Sequence, residues 1–97
     1  MIRFVFHPQA KSELEGAVAW YGTQRPALDD KFQQAVENTL SRIEQYPLAY
    51  PKLRGRWRRA LVSGFPYGVI YRAAGETIYI LACFHGHRNP RRWQERL

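Results

Sequence analysis

The run F-P-Y-G-V-I-Y from Phe65 to Tyr71 is followed, after a short turn, by I-Y-I-L-A-C-F-H-G-H from Ile78 to His87 and by R-N-P-R-R-W from Arg88 to Trp93. The two apolar runs read as the middle of a sheet, because nearly continuous β-branched and aromatic stretches are what a strand covered on both sides requires. The segment directly after them is too basic and too rich in imidazole to be core. Function is therefore expected where the strands end, around His85, His87 and Arg88.

Working outward, Ala74-Gly75-Glu76 turns the chain between the runs, and Ser63-Gly64-Phe65-Pro66 turns it into the first from a preceding strand, Trp57 to Val62. The stretch Tyr46 to Arg56 holds two prolines and a glycine among basic residues and reads as an exposed loop. Upstream, Ala10, Leu14, Ala17, Val18 and Tyr21 stack on one side of a helix that Pro8 can begin, and Gly22 to Pro26 breaks it. Leu28, Phe32, Ala35, Val36, Leu40 and Ile43 mark a second helix with Asp29 and Asp30 at its N-terminus, ended by Pro47. Ile2, Phe4 and Phe6 alternate with Arg3 and Val5 as an opening strand. The order is β-α-α-β-β-β with a basic tail, in which Pro90 can begin a short helix. This predicts one two-layer α+β domain over residues 1–97, its mainly antiparallel sheet carrying a helix hairpin on one face.

The 97 residues make one small domain, and 45% hydrophobic content with 14% aromatics is enough for a core. The single cysteine, Cys83, excludes an internal disulfide and lies in an apolar run, where it reads as a buried small hydrophobe. No secretory leader or membrane-length apolar run is evident, so a cytoplasmic protein without a membrane partner is expected. Charge is unevenly spread. Up to Pro51 there are five basic and six acidic residues; from Lys52 onward there are ten basic residues against Glu76 and Glu95, and Arg outnumbers Lys nine to one. Such a half steers anionic partners, and Arg favours phosphate and interface recognition.

The helix ending in Trp20 and Tyr21, the P-x-x-Y-P loop from Pro47 to Pro51, F-P-Y-x-V-I-Y and H-G-H-R-N-P-R-R-W together resemble the RelE/ParE superfamily of toxins from type II toxin-antitoxin systems, closer to the ParE branch. The resemblance implies the RelE/ParE-like fold, growth inhibition, a role in plasmid stabilisation, and neutralisation by an acidic, ParD-like antitoxin. ParE-like members poison DNA gyrase; RelE-like members cut messenger RNA on the ribosome.

Cutting RNA through its 2′-hydroxyl requires a base, a cation for the phosphorane charge and an acid for the leaving oxygen. The strand arginine of RelE-like nucleases falls on Gly68, and their tail tyrosine has no counterpart; Arg88 is the one helpful match. A nuclease would have to be assembled from His85, His87, Arg88 and Arg72. The ParE-like reading needs no catalytic set. It uses Arg and Trp as surface anchors, with Arg58, Arg59, His85, Arg88, Arg91, Arg92, Trp93 and Arg96 facing the target. Trp20, Tyr21 and Arg54 are then assigned to the antitoxin.

Each residue also has a plainer reading. His85 can hydrogen-bond backbone at a strand end, Trp57 and Trp93 can pack on the sheet, Trp20 and Tyr21 can serve helix packing, and Arg72 can pair with a helix acid such as Glu37. His85 and His87 with no third ligand do not make a metal site, and no cofactor is expected. A third possibility is a non-enzymatic nucleic-acid-binding module, which would expose aromatics among the basic residues; Tyr67, Tyr71 and Tyr79 sit in strand runs where burial is expected.

Overall fold

The computed structural model describes residues 1–86 and 90–97. Its elements are β1 (Arg3–Phe6), α1 (Pro8–Gln24), α2 (Leu28–Gln45), β2 (Lys52–Arg54), β3 (Trp57–Leu61), β4 (Tyr67–Ala74), β5 (Thr77–His85) and α3 (Arg91–Gln94). They form a sheet of order β1-β5-β4-β3-β2. β1 pairs parallel with β5 and the other neighbours pair antiparallel.

Local chemistry explains most boundaries. Pro8 occupies the first turn of α1, where its missing N–H costs nothing, and His7 Nδ1 accepts the N–H of Gln9. Asp29 and Asp30 lie in the first turn of α2, where carboxylates meet the positive end of the helix dipole. α1 continues past Gly22 to Gln24, so the break is shorter than expected and is made by Arg25–Ala27, with Ala27 in the left-handed region at φ 64°. The expected loop from Tyr46 to Arg56 also needs correction. Lys52–Arg54 forms β2 against β3, which the three-residue stretch Lys-Leu-Arg cannot announce because the pairing is supplied by the free edge of β3.

The helix hairpin covers one sheet face, as the hydrophobic periodicity requires. Ala10, Ala17 and Tyr21 of α1 and Phe32, Val36 and Ile43 of α2 close on Ala60, Val62, Tyr67, Val69, Tyr71, Ile78, Ile80 and Cys83. A smaller cluster of Ile70, Leu81, Ala82, Phe84 and Trp93, with Trp57 packed against it, covers part of the opposite face.

A bulge in β5 sets which residues face which side. Ile70 pairs with Ala82 and Tyr71 with Ile80, leaving Leu81 as the extra residue. Leu81 and Ala82 both join the second cluster, after which Cys83 returns to the hairpin side and Phe84 faces Trp93.

β1 reaches only as far as Ile80 on β5, so the β5 edge beyond it lacks a strand partner. Two side chains close it. Glu13 Oε1 accepts the Cys83 N–H at 3.2 Å, and Arg96 Nη1 donates to the Leu81 carbonyl at 3.0 Å. Arg96 and Glu13 are joined by two hydrogen bonds of 2.8 and 2.7 Å.

The loop after α2 is pinned from the sheet, with the Tyr71 hydroxyl donating to the Pro47 carbonyl at 2.6 Å and Arg58 Nη1 to that of Tyr50 at 2.7 Å. Burial pushes the Tyr71 hydroxyl from 10.0 up to about 12, with Arg58 opposing and Tyr50 adding to the rise. Burial, helped by the Glu13 charge, pushes the Cys83 thiol from 9.0 up to about 12. Both groups ionise later in the folded chain than in the unfolded one, so the unfolded state loses protons first. The stability they contribute is complete below pH 9 and is lost between pH 9 and 12. Urea midpoints measured across this range should fall with rising pH. The fall should be shallower in Cys83→Ala throughout the range and in Tyr71→Phe from pH 10 upward. An unchanged pH profile in both variants contradicts the assignment.

Candidate functional site

Two hollows flank the end of the β4–β5 ladder, one on each sheet face. On the hairpin side a groove of about 670 Å³ runs between α1 and the open part of β5, lined by Glu13, Gly16, Trp20, Tyr67, Cys83 and His85 among others. Trp20 is 55% exposed on its wall and rests edge-on against Tyr21 at 5.0 Å. His85 is half-buried and edge-on to Tyr67 at 5.1 Å. On the other face a hollow of about 630 Å³ is lined by Leu53, Arg59, Leu61, Phe65, Gly68, Phe84 and Trp93 among others. A Cβ on Gly68 would lie 3.1 Å from both Cγ and Cδ of Arg59. The aliphatic stem of Arg59 therefore covers the position where a nuclease arginine is expected.

Several expected site residues prove structural. Trp93 is buried at 7% exposure in the second-face cluster and is not a surface anchor, because the tail folds back and its ring packs in the cluster with Phe84. Arg96 is likewise removed from the target-facing set by its ion pair with Glu13, in which the side chains are 8% and 19% exposed. Tyr21, assigned to the antitoxin, lies in the core against Phe32, Phe65 and Tyr67; burial raises its hydroxyl pKa, with Cys83 adding. Arg58 turns toward the Tyr50 carbonyl, whereas its neighbour Arg59 is exposed on the opposite side.

Arg72 does not pair with Glu37. Its guanidinium lies 5.5 Å from the Trp57 ring and 5.1 Å from that of Tyr79, on the face away from the helices. His85 faces α1 and pairs with Tyr67, while Arg72 pairs with Tyr79. Five β4 positions separate Tyr67 from Arg72, about 16 Å along the strand. Arg72 and His85 are thus not brought into one site, which removes that pair from the four-residue nuclease set.

Arg91 and Arg92 are exposed on α3, and Arg54 is exposed on β2 beside Arg56, Trp57 and Arg72, across the sheet from Trp20. Trp20 and Arg54 therefore do not share a surface. His87, placed in the nuclease set, and Arg88, placed in both the nuclease and target-facing sets, lie outside the described residues. Tyr67 and Tyr71 are buried as expected and offer no stacking surface for a nucleic-acid-binding module, whereas Tyr79, also expected to be buried, is only half-buried, with the Arg72 guanidinium over its ring. Among the described residues no group of three or more His, Cys, Asp or Glu side chains could hold a metal, and no helix is long and apolar enough to cross a membrane.

Glu13 is the structural site residue that sequence reading missed. Its partner Arg96 is 83 positions away, and only the mid-helix placement of a carboxylate beside apolar positions hinted that it had one.

The fold is shared with a solved structure described as the chromosomal ParDE TA system from P. aeruginosa, at a TM-score of 0.62 and 16% identity, covering 88% of this chain and 96% of that one. Toxin ParE2 of Mycobacterium tuberculosis, from strains CDC 1551 / Oshkosh and H37Rv, is 33% identical over 89 residues, covering 91% of this chain and 85% of the relative. The family model for the ParE toxin of type II toxin-antitoxin systems, parDE, matches residues 4–90. The chain belongs to the ParE toxin family of type II toxin-antitoxin systems.

Proposed function

We propose that this ParE-family toxin inhibits DNA gyrase by binding it through the basic face away from the helix hairpin, and that an acidic, ParD-like antitoxin neutralises it from the groove beside α1. The observation that carries the target side is a set of exposed arginines, Arg54, Arg56, Arg59 and Arg92, that make no ion pair among the described residues. Unpaired guanidinium groups on one side of a small domain create the field that steers an anionic assembly such as gyrase on DNA. On the antitoxin side, Trp20 supplies a large exposed ring backed by Tyr21, the kind of residue that dominates binding energy at interface centres. This assignment places both partners in the cytoplasm.

Purified protein should reduce supercoiling by gyrase and trap cleavage complexes, and Arg59→Gln with Arg92→Gln should weaken both effects. Trp20→Ala should cost the antitoxin complex about 2 kcal/mol, roughly 30-fold in Kd, while leaving gyrase inhibition in place. The gyrase reading is lost if supercoiling is untouched and translating ribosomes instead show cut messenger RNA that disappears in His85→Ala. Unchanged antitoxin affinity in Trp20→Ala removes the groove assignment.

A further inference from the structure

We propose that Arg72, Arg54 and Arg56 form a site for the phosphodiester groups of a nucleic-acid backbone, on the sheet face opposite the helices. The site is a shallow hollow of about 360 Å³ lined by these three arginines with Gly55, Trp57 and Leu97.

Arg72 is the anchor. It sits on the interior strand β4, where the usual reason for surface charge, protecting an exposed strand edge, does not apply. The rings of Trp57 and Tyr79 hold its guanidinium at 5.5 and 5.1 Å. Ring faces attract the positive charge but do not replace acceptors in the guanidinium plane, and the buried Nε has no hydrogen-bond partner among the described residues. None of the three arginines makes an ion pair among the described residues.

A rigid planar fork with no ion pair among the described residues, flanked by two exposed guanidinium groups, matches the several oxygens of a phosphate better than one side-chain carboxylate. The site needs no gyrase, so its test is independent of the choice of target.

The experiment measures fluorescence anisotropy of the full chain with a fluorescein-labelled DNA duplex and, separately, a labelled single-stranded RNA, across a salt series. The Arg54→Gln/Arg56→Gln/Arg72→Gln variant should bind at least one probe about 10- to 100-fold more weakly, with a salt slope reduced by about 2 to 3. Arg54→Gln/Arg56→Gln alone, at exposed positions, should give about two-thirds of that slope change, so the outcome does not depend on Arg72→Gln folding. The control Arg25→Gln/Arg42→Gln removes two exposed charges from the helix side and should bind as the wild type does. The site is overturned if the control pair loses as much binding as Arg54→Gln/Arg56→Gln, or if neither probe responds to the three substitutions. It is equally overturned if a labelled glutamate-rich peptide shows this dependence while both nucleic acids do not.

Discussion

Arg96→Ala is expected to destabilise the domain by about 3 kcal/mol, the lower end of what breaking a buried ion pair costs, since Glu13 retains some contact with water. Three losses coincide. Glu13 keeps its charge without its cation, the Leu81 carbonyl loses its donor, and the tail that carries Trp93 into the second-face cluster loses its tether. Against a total stability of roughly 5–15 kcal/mol for a domain of this kind, that is a large share. The melting temperature should fall by about 12 °C or more, at 4–8 °C per kcal/mol for this size. Urea unfolding of Arg96→Ala, Glu13→Leu and the pair Glu13→Leu/Arg96→Met checks the mechanism. The paired variant should recover most of the loss because it leaves no uncompensated charge. A single-variant loss below about 1 kcal/mol would place this pair with exposed salt bridges, and the role assigned to it would be wrong.

Phe32→Ala should cost about 3–5 kcal/mol through the cavity it leaves. Phe32 is fully buried and its ring centre lies 4.9 Å from Tyr21, 5.0 Å from Phe65 and 5.2 Å from Tyr67. These rings come from α1, from the turn before β4 and from β4 itself, so no small movement of one element can refill the space. Phe32→Leu keeps most of the volume and should lose less than about 1.5 kcal/mol. The same cluster supports Tyr21, on which the exposed Trp20 rests, so Phe32→Ala should also loosen the wall of the α1 groove. Denaturant midpoints for the two variants provide the measurement; equal small losses would mean the site collapses freely and the aromatic cluster does not hold the hairpin.

Both predictions concern contacts that differ in how far they were visible in the chain. Phe32 could be placed in the core from its spacing with Val36 and Ile43, because an amphipathic helix repeats every three to four residues. The Arg96–Glu13 pair could not. Nothing within a few positions of either residue marks the other, and the tail was expected to face a partner because Arg and Trp are common anchors of interaction surfaces. Trp93 and Arg96 are buried instead because β1 is short and the second sheet face is apolar, leaving an open edge and an uncovered surface that the tail fills.

The same contrast holds for the candidate site. The two apolar runs, the helix hairpin, the basic second half and the resemblance to a toxin superfamily were legible in residues 1–97, since each rests on periodicity, composition or motif. Which way the strand residues point was not. One extra residue, Leu81, shifts β5 so that Cys83 turns toward α1 and Phe84 toward Trp93, and Arg72 lies on the face opposite His85. A bulge depends on how two strands register against each other, a long-range match that no local pattern encodes. Sequence by itself therefore determined the order of elements and the family, which depend on neighbours along the chain; tertiary structure alone decided which arginines are free to meet a partner, because burial and pairing depend on neighbours in space.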